Sequence, residues 1–306
     1  MRAKAIVKIC ICGTIALVLA SMLVSLLTLP RVLDWKIGDL SFHWIDDHGS
    51  DEGYTVGEAS VSGEVRELDV SWLSGSVTVE LTDGDAVTLR EEPQPESSDA
   101  RMRWKLQDGK LTVYSQKSGL TIPTRAKQLT IGIPAGRAGK LQKLSLDLSA
   151  ATASLPALTL RELELDSVSG SVTLTGGAYE KLDFDSTSGD LTLTSAAVGE
   201  FSADTTSGSL TLGGAFETID FDTTSGALHL TASALPRDIS CDTVSGGVTL
   251  TLPENGGFSA TLDSVSGDLA VDGFAGSLHR DEFVYGQGGP AYEFDSVSGD
   301  VRICCA

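Results

Sequence analysis

Through the C-terminal half of the chain, apolar side chains alternate with polar ones in short runs, and the runs themselves recur. One unit reads Leu163-x-Leu165, an Asp, a Ser-Gly, then Val172-x-Leu174. It returns as Leu182-x-Phe184 with Leu191-x-Leu193, as Phe201-x-Ala203 with Leu210-x-Leu212, and so on to Tyr292-x-Phe294 with Val301-x-Ile303. A spacing of two is the period of a strand with one buried face. Each unit therefore predicts two short strands, one on each side of a bend.

The bend carries one phrase, Asp–Ser/Thr–x–Ser–Gly, seven times: Asp166 to Gly170, Asp185 to Gly189, Asp204 to Gly208, Asp222 to Gly226, Asp242 to Gly246, Asp263 to Gly267 and Asp295 to Gly299. The Asp-to-Asp steps are 19, 19, 18, 20, 21 and 32. A unit of this size cannot bury its apolar face alone, whereas stacked units make a continuous core. The expected fold is all-β, a repeat β-solenoid of β-helix-like form. At the bend, glycine is expected to supply the backbone angles of a tight turn. The Asp is expected to accept hydrogen bonds from the N–H groups of its own bend. The long last step predicts a protruding loop over 273–289.

The pattern fades toward the N-terminus. Leu144 to Leu155 is a weaker copy with Asp147 in register, and Glu67 to Leu81 keeps the order strand, Ser-Gly, strand with one extra residue. These divide the body into an irregular β part, 60–143, and the solenoid repeats, 144–306. Asp108-Gly109 signals a hairpin, and the charged stretch Glu91 to Asp99 reads as a loop. The last rung stops at Ala306, which predicts an open strand edge free to pair with another chain.

Residues 9–29 carry no charge, and their 21 positions are close to the ~20 needed to span a bilayer. Arg2, Lys4 and Lys8 precede them, which predicts a cytoplasmic N-terminus over 1–8 and an uncleaved signal anchor; a cleaved signal peptide is the alternative. Residues 30–59 read as a juxtamembrane linker. Everything beyond the anchor is then expected outside the cell membrane. That part holds 19 basic residues against all 42 acidic ones, a balance that disfavours nucleic acid and anionic lipid and suits solubility. Cys10 and Cys12 lie in the apolar run, Cys241 in an inward column, and Cys304-Cys305 at the C-terminus, so no disulfide framework is implied.

Candidate chemistry is sparse. The Asp column resembles a ladder of calcium ligands, but it fits neither the nonapeptide calcium repeat nor an EF-hand loop. Thr-x-Thr pairs such as Thr173/Thr175 and Thr192/Thr194 suggest an ice-binding face, interrupted at Gly213, His229, Ala270 and Arg302. His43 and His48 with Asp46, Asp47 and Asp51 match no defined metal spacing. The outward column seven residues after each Asp reads Thr, Thr, Thr, His, Thr, Ala, Arg, without an acid–base pair. No catalytic residue and no cofactor follow from these motifs.

The order of anchor, the strand Leu129-Thr130-Ile131-Gly132-Ile133-Pro134, and then Ser-x-Ser-Gly-Asp units resembles the bacterial "putative adhesin" family of unknown function, which includes the Lia-type membrane-anchored envelope proteins. Ser188-Gly189-Asp190, Ser266-Gly267-Asp268 and Ser298-Gly299-Asp300 carry that resemblance over about 60 to 303. The resemblance implies a β-solenoid at the cell envelope and supplies no catalytic residue. The function expected is a non-catalytic, membrane-anchored extracellular binding or sensing module, with cell-wall components, surface components or another envelope protein as partners. The alternatives are a carbohydrate-active β-helix enzyme on wall or capsule polysaccharide, and a structural or regulatory envelope-stress component without a ligand.

Overall fold

Backbone ladders that pass from one repeat to the next hold the fold together. The computed structural model describes residues 50–119, 126–279 and 281–306, and apart from the short 3-10 turns Ser98–Ala100 and Ala135–Lys140 their regular structure is all β. The predicted anchor, the stretch before it and residues 30–49 of the linker lie outside the described residues. Among those described, no helix is long and apolar enough to cross a membrane.

Each repeat forms the two strands that its apolar pairs predict. Thr159–Ser167 and Val172–Thr175 flank the first bend; Ala178–Ser186 and the start of Leu191–Thr205 flank the second. Equivalent strands pair in parallel and in register, so Asp166 lies beside Asp185, Asp185 beside Asp204, and Leu174 beside Leu193. The predicted inward pairs are buried throughout, from Leu163 and Leu165 to Val301 and Ile303. The exception is Leu269 with Val271, which are half-buried because their rung ends the stack. One inward column reads, in stacking order, Phe184, Ala203, Phe221, Cys241, Phe294. Bulky rings alternate with small side chains, which fills the space between rungs without forcing them apart.

At both ends the order of rungs departs from the order of the chain. Glu67–Thr82 pairs on one side with Lys143–Leu155 and on the other with Lys110–Tyr114 and Lys127–Pro134. The chain thus lays down the second rung first, then the outermost, then rejoins the stack. At the other end, Asp238–Thr243 and Val248–Leu252 pair not with the next repeat but with Ala291–Ser296 and Val301–Cys305. Those strands in turn carry Gly257–Ser264 and Leu269–Asp272 on their far side. The repeat at Asp295, last in the chain, is next to last in the stack.

This order overturns the expected open edge at Ala306, because Val301–Cys305 is paired on both sides. The bare edge belongs instead to Leu269–Asp272, which among the described residues pairs only with Val301–Cys305. The other terminal edges are covered by antiparallel strands: Lys110–Tyr114 by Arg103–Gln107, Lys127–Pro134 by Val87–Glu92, and Gly257–Ser264 by Glu282–Gly286. The last of these comes from the 273–289 insertion, so part of the predicted loop is a capping strand.

Glu91, expected in a loop, closes the strand Val87–Glu92 and is fully buried. Its carboxylate lies 2.6 Å from Lys127 Nζ and accepts the Met102 N–H at 3.1 and 3.2 Å. Lys127 Nζ also donates to the carbonyls of Ala100 and Ser115 and sits 5.0 Å from the Trp72 ring centroid. A charge is tolerated here because every side of it is matched. The alternation that reveals strands cannot show such a pair, since both members look like surface residues.

The register makes a direct test. Phe221, fully buried, should cost about 3–5 kcal/mol when changed to Ala, and exposed Thr211 less than about 1 kcal/mol. Urea denaturation of the two variants is expected to separate them clearly; equal losses would contradict the register.

Candidate functional site

Three members of the repeated phrase have structural duties. The Ser or Thr after each Asp points inward, and its hydroxyl accepts the N–H of the bend glycine: Ser167 from Gly170, Ser186 from Gly189, Thr223 from Gly226, Thr243 from Gly246, Ser264 from Gly267 and Ser296 from Gly299, at 2.5–2.9 Å. Thr205 instead donates to Thr223 Oγ1 at 2.9 Å. The second Ser faces out and donates to a carbonyl of the neighbouring rung in all seven copies, at 3.1–3.3 Å. The bend is therefore held by hydroxyls and not, as expected, by the Asp.

The glycine also differs from expectation. Gly170, Gly189, Gly208, Gly226, Gly246, Gly267 and Gly299 have no left-handed backbone angles. What they lack is space. A side chain at Gly189 would strike the carbonyl of Gly170, at Gly208 that of Gly189, at Gly299 that of Gly246 and at Gly267 that of Gly299. The glycines form their own column, and its absence of side chains lets the rungs close to strand spacing.

The Asp remains, and it faces solvent. Asp147, Asp166, Asp185, Asp204, Asp222, Asp242, Asp295 and Asp263 lie side by side in that order. All are exposed except Asp263, which is half-buried. Outward positions two and four residues earlier share this face. Toward the N-terminal end it is partly neutralised: Lys143 Nζ lies 2.6 Å from Glu164 and 3.3 Å from Glu162, Lys181 lies 2.7 Å from Asp183, and Lys110 lies 2.7 Å from Asp69. From the Asp204 rung onward the same positions hold Glu200, Asp220, Asp238 and Glu293 beside the Asp column, and no Lys or Arg.

Stacked like charges at ~4.8 Å repel by roughly 0.8 kcal/mol per neighbouring pair even in a water-like dielectric. Crowding by neighbouring side chains adds to this by keeping water away. Both act on Asp166, Asp185, Asp222 and Asp242. Asp166, Asp185 and Asp242 lie above their ordinary value, first because neighbouring side chains keep water from part of each exposed carboxyl and then through the adjacent column members. Asp222 is pushed up to about 6, by the same partial loss of water and then by Asp242, Asp220 and Asp204. Glu164 goes the other way, held down by the Lys143 ammonium. Glu162, Glu164 and Asp183 bring oxygens within 4.8 Å of one another, but Lys143 and Lys181 already answer their charge.

The outward face that follows the bend is less acidic. Its column runs Ser154, Thr173, Thr192, Thr211, His229, Thr249, Arg302, Ala270. His229 stands between Thr211 and Thr249, flanked along its strand by Ala227 and Thr231, so no carboxylate adjoins it in the sheet. Arg302 pairs with Asp272 at 2.8 Å. A groove of about 710 Å3 crosses neighbouring strands over Leu160, Tyr179, Val198 and Phe216, and is lined also by Arg161, Glu180 and Glu217; no member of the Asp column lines it. Cys241 is a buried free thiol, while Cys304 and Cys305 are half-buried on an interior strand and not in a tail.

The outward columns at two and four residues before the Asp were not singled out in the sequence reading. Their parity with the Asp was the signal that places them on its face.

Parallel rungs of about twenty residues, closed by a hydroxyl-and-glycine bend, define a stacked-repeat β protein. The chain belongs to the family described as Toastrack DUF4097, whose model matches residues 65–304. It is similar to solved structures of a "putative adhesin" from Bacteroides fragilis (14% identity, covering 83% of this chain and 98% of that one, TM-score 0.44). It is also similar to a "putative lipid binding protein" from Parabacteroides distasonis (14% identity, 83% and 97%, TM-score 0.49) and a "putative adhesin" from Parabacteroides merdae (13%, 83% and 97%, TM-score 0.43). No curated protein sequence matches this chain.

A carboxyl whose folded pKa exceeds its unfolded value binds a proton more readily when folded. Its contribution to stability is complete below the unfolded value and is lost as pH rises through the folded one. For Asp222 that window runs from 3.8 to about 6. Asp222→Asn should therefore raise the urea midpoint at about pH 7.5 and leave it nearly unchanged at about pH 4. An equal effect at both pH values would show that the ladder carries no such strain.

Proposed function

We propose that this protein is a non-catalytic surface-contact module of the bacterial cell envelope, held by the segment 9–29, whose acidic sheet face binds cationic groups displayed by a partner. The closer likeness to Lia-type envelope proteins belongs to this proposal. The observation that carries it is the unbalanced half of the Asp face. There Asp204, Asp220, Asp222, Asp238 and Asp242 share one surface without a basic residue at its outward positions, whereas Glu200, at its border, adjoins Lys181 across the ladder. Their mutual repulsion is relieved when a positively charged ligand lies across them. The hydroxyls and glycines do the work of the bend, so the carboxylates are free to vary in role without loss of fold.

The same geometry argues against catalysis on a polysaccharide. Carboxylates at this spacing can serve glycoside hydrolysis, but reacting groups work in concave, water-excluding sites. Here they stand on an open sheet, outside the groove over Leu160 and Tyr179.

Titration with poly-lysine should show binding that weakens steeply as salt rises from ~0.01 to ~0.15 M, while poly-glutamate should not bind. The double variant Asp220→Asn, Asp222→Asn is expected to weaken the interaction several-fold; unchanged affinity would sink the assignment to this face.

Topology has its own test. A C-terminal tag on intact cells is expected to be removed by external protease. A tag shielded until the cells are opened would place the β body on the wrong side of the membrane.

A further inference from the structure

We propose that the C-terminal repeat is a strap: it locks the outermost rung and its cap onto the stack, and all three open together as one unit while the earlier rungs stay closed. The pairing pattern makes the outer rung and its cap depend on the strap. Gly257–Ser264 pairs with Ala291–Ser296 and with Glu282–Gly286; Leu269–Asp272 pairs with Val301–Cys305; Ser277–His279 pairs with Glu282–Gly286. None of these strands pairs with the preceding repeat, 238–252. Among the described residues, every backbone ladder between that repeat and the end of the stack runs through 291–305.

Side chains follow the same route. Phe258 closes the end of the core against Phe274 and Phe283, at centroid distances of 5.0 and 5.8 Å, and rests on Tyr292 of the strap at 5.7 Å. The Tyr292 hydroxyl donates to the Pro236 carbonyl at 3.0 Å, tying the strap back to the earlier return turn. Gly286, Gly288 and Gly289, all with positive φ, form the link into the strap, and glycine there can absorb a large backbone rotation. The outer rung is also the least buried: Leu269 and Val271 are half-buried and Val265 is 68% exposed. Segments with few buried contacts open at lower free energy than the core.

A buried reporter lies beneath the strap. Cys241 is 1% exposed, and its neighbour across the ladder is Phe294. Releasing 291–305 uncovers that thiol.

Hydrogen exchange and pulsed iodoacetamide labelling of the full chain, both mapped by peptide mass, test the strap. Amides in 257–272 and 291–305 are expected to exchange at one common rate, at least ~10-fold faster than those in 178–231, with Cys241 alkylated at that same rate. Gly299→Ala, which pushes a methyl into the Gly246 carbonyl, should accelerate both segments and Cys241 labelling by a similar factor and leave 178–231 unchanged. Continued protection of 257–272 while 291–305 exchanges, or protection of both equal to the central rungs, would overturn the proposal. If the variant does not fold, the parent chain's exchange pattern decides alone.

Discussion

The structure depends on one constraint: successive rungs must approach to strand spacing at the bend as well as along the strands. A strand can do this with any side chain, because side chains stand perpendicular to the sheet. A bend cannot, because its side chains turn into the path of the next rung. The glycine column meets the constraint by having nothing to place there, and the buried hydroxyls of Ser167, Thr223, Thr243 and their equivalents satisfy the N–H groups that the bend would otherwise strand in the core. An unpaired buried N–H costs more than a hydrogen bond gains. The repeat is therefore specified at the bend, and the strands between bends tolerate wide variation in their apolar residues.

The large-scale fold was legible because stacking makes burial periodic. Leu163, Leu182, Phe201 and Ile219 occupy equivalent places, so one correct reading of parity fixes many residues at once. The bend chemistry is less legible, for a related reason. Asp and Ser/Thr are both good acceptors for a local N–H, and sequence alone does not say which of two adjacent residues faces inward until strand parity is carried through the bend. Carried through, it puts the hydroxyl inside and the carboxylate outside. The acidic face then follows from the same parity, since Asp220 and Asp238 stand two and four residues before members of the Asp column.

Rung order was not legible. Equivalent repeats are interchangeable by design of the pattern, and Asp263 and Asp295 both fit the position after Asp242. What decides is the insertion between them, whose strand Glu282–Gly286 can only cover an edge if its own repeat is outermost. The Glu91–Lys127 pair was hidden for a different reason. Buried charges in a cap obey no period, because a cap is where the repeating environment ends.

The carboxylate ladder has a consequence for the ions around the molecule. Two unit charges in water interact with thermal energy at a separation of about 7 Å, and the column places its charges at ~4.8 Å. A line of charge that dense attracts mobile counterions, as a nucleic acid backbone does more strongly. Along this face the stack behaves as a short rigid polyanion built from protein. A cationic chain laid along it would set those ions free, and the entropy so released would favour association without asking for a shaped pocket or a defined sequence in the partner.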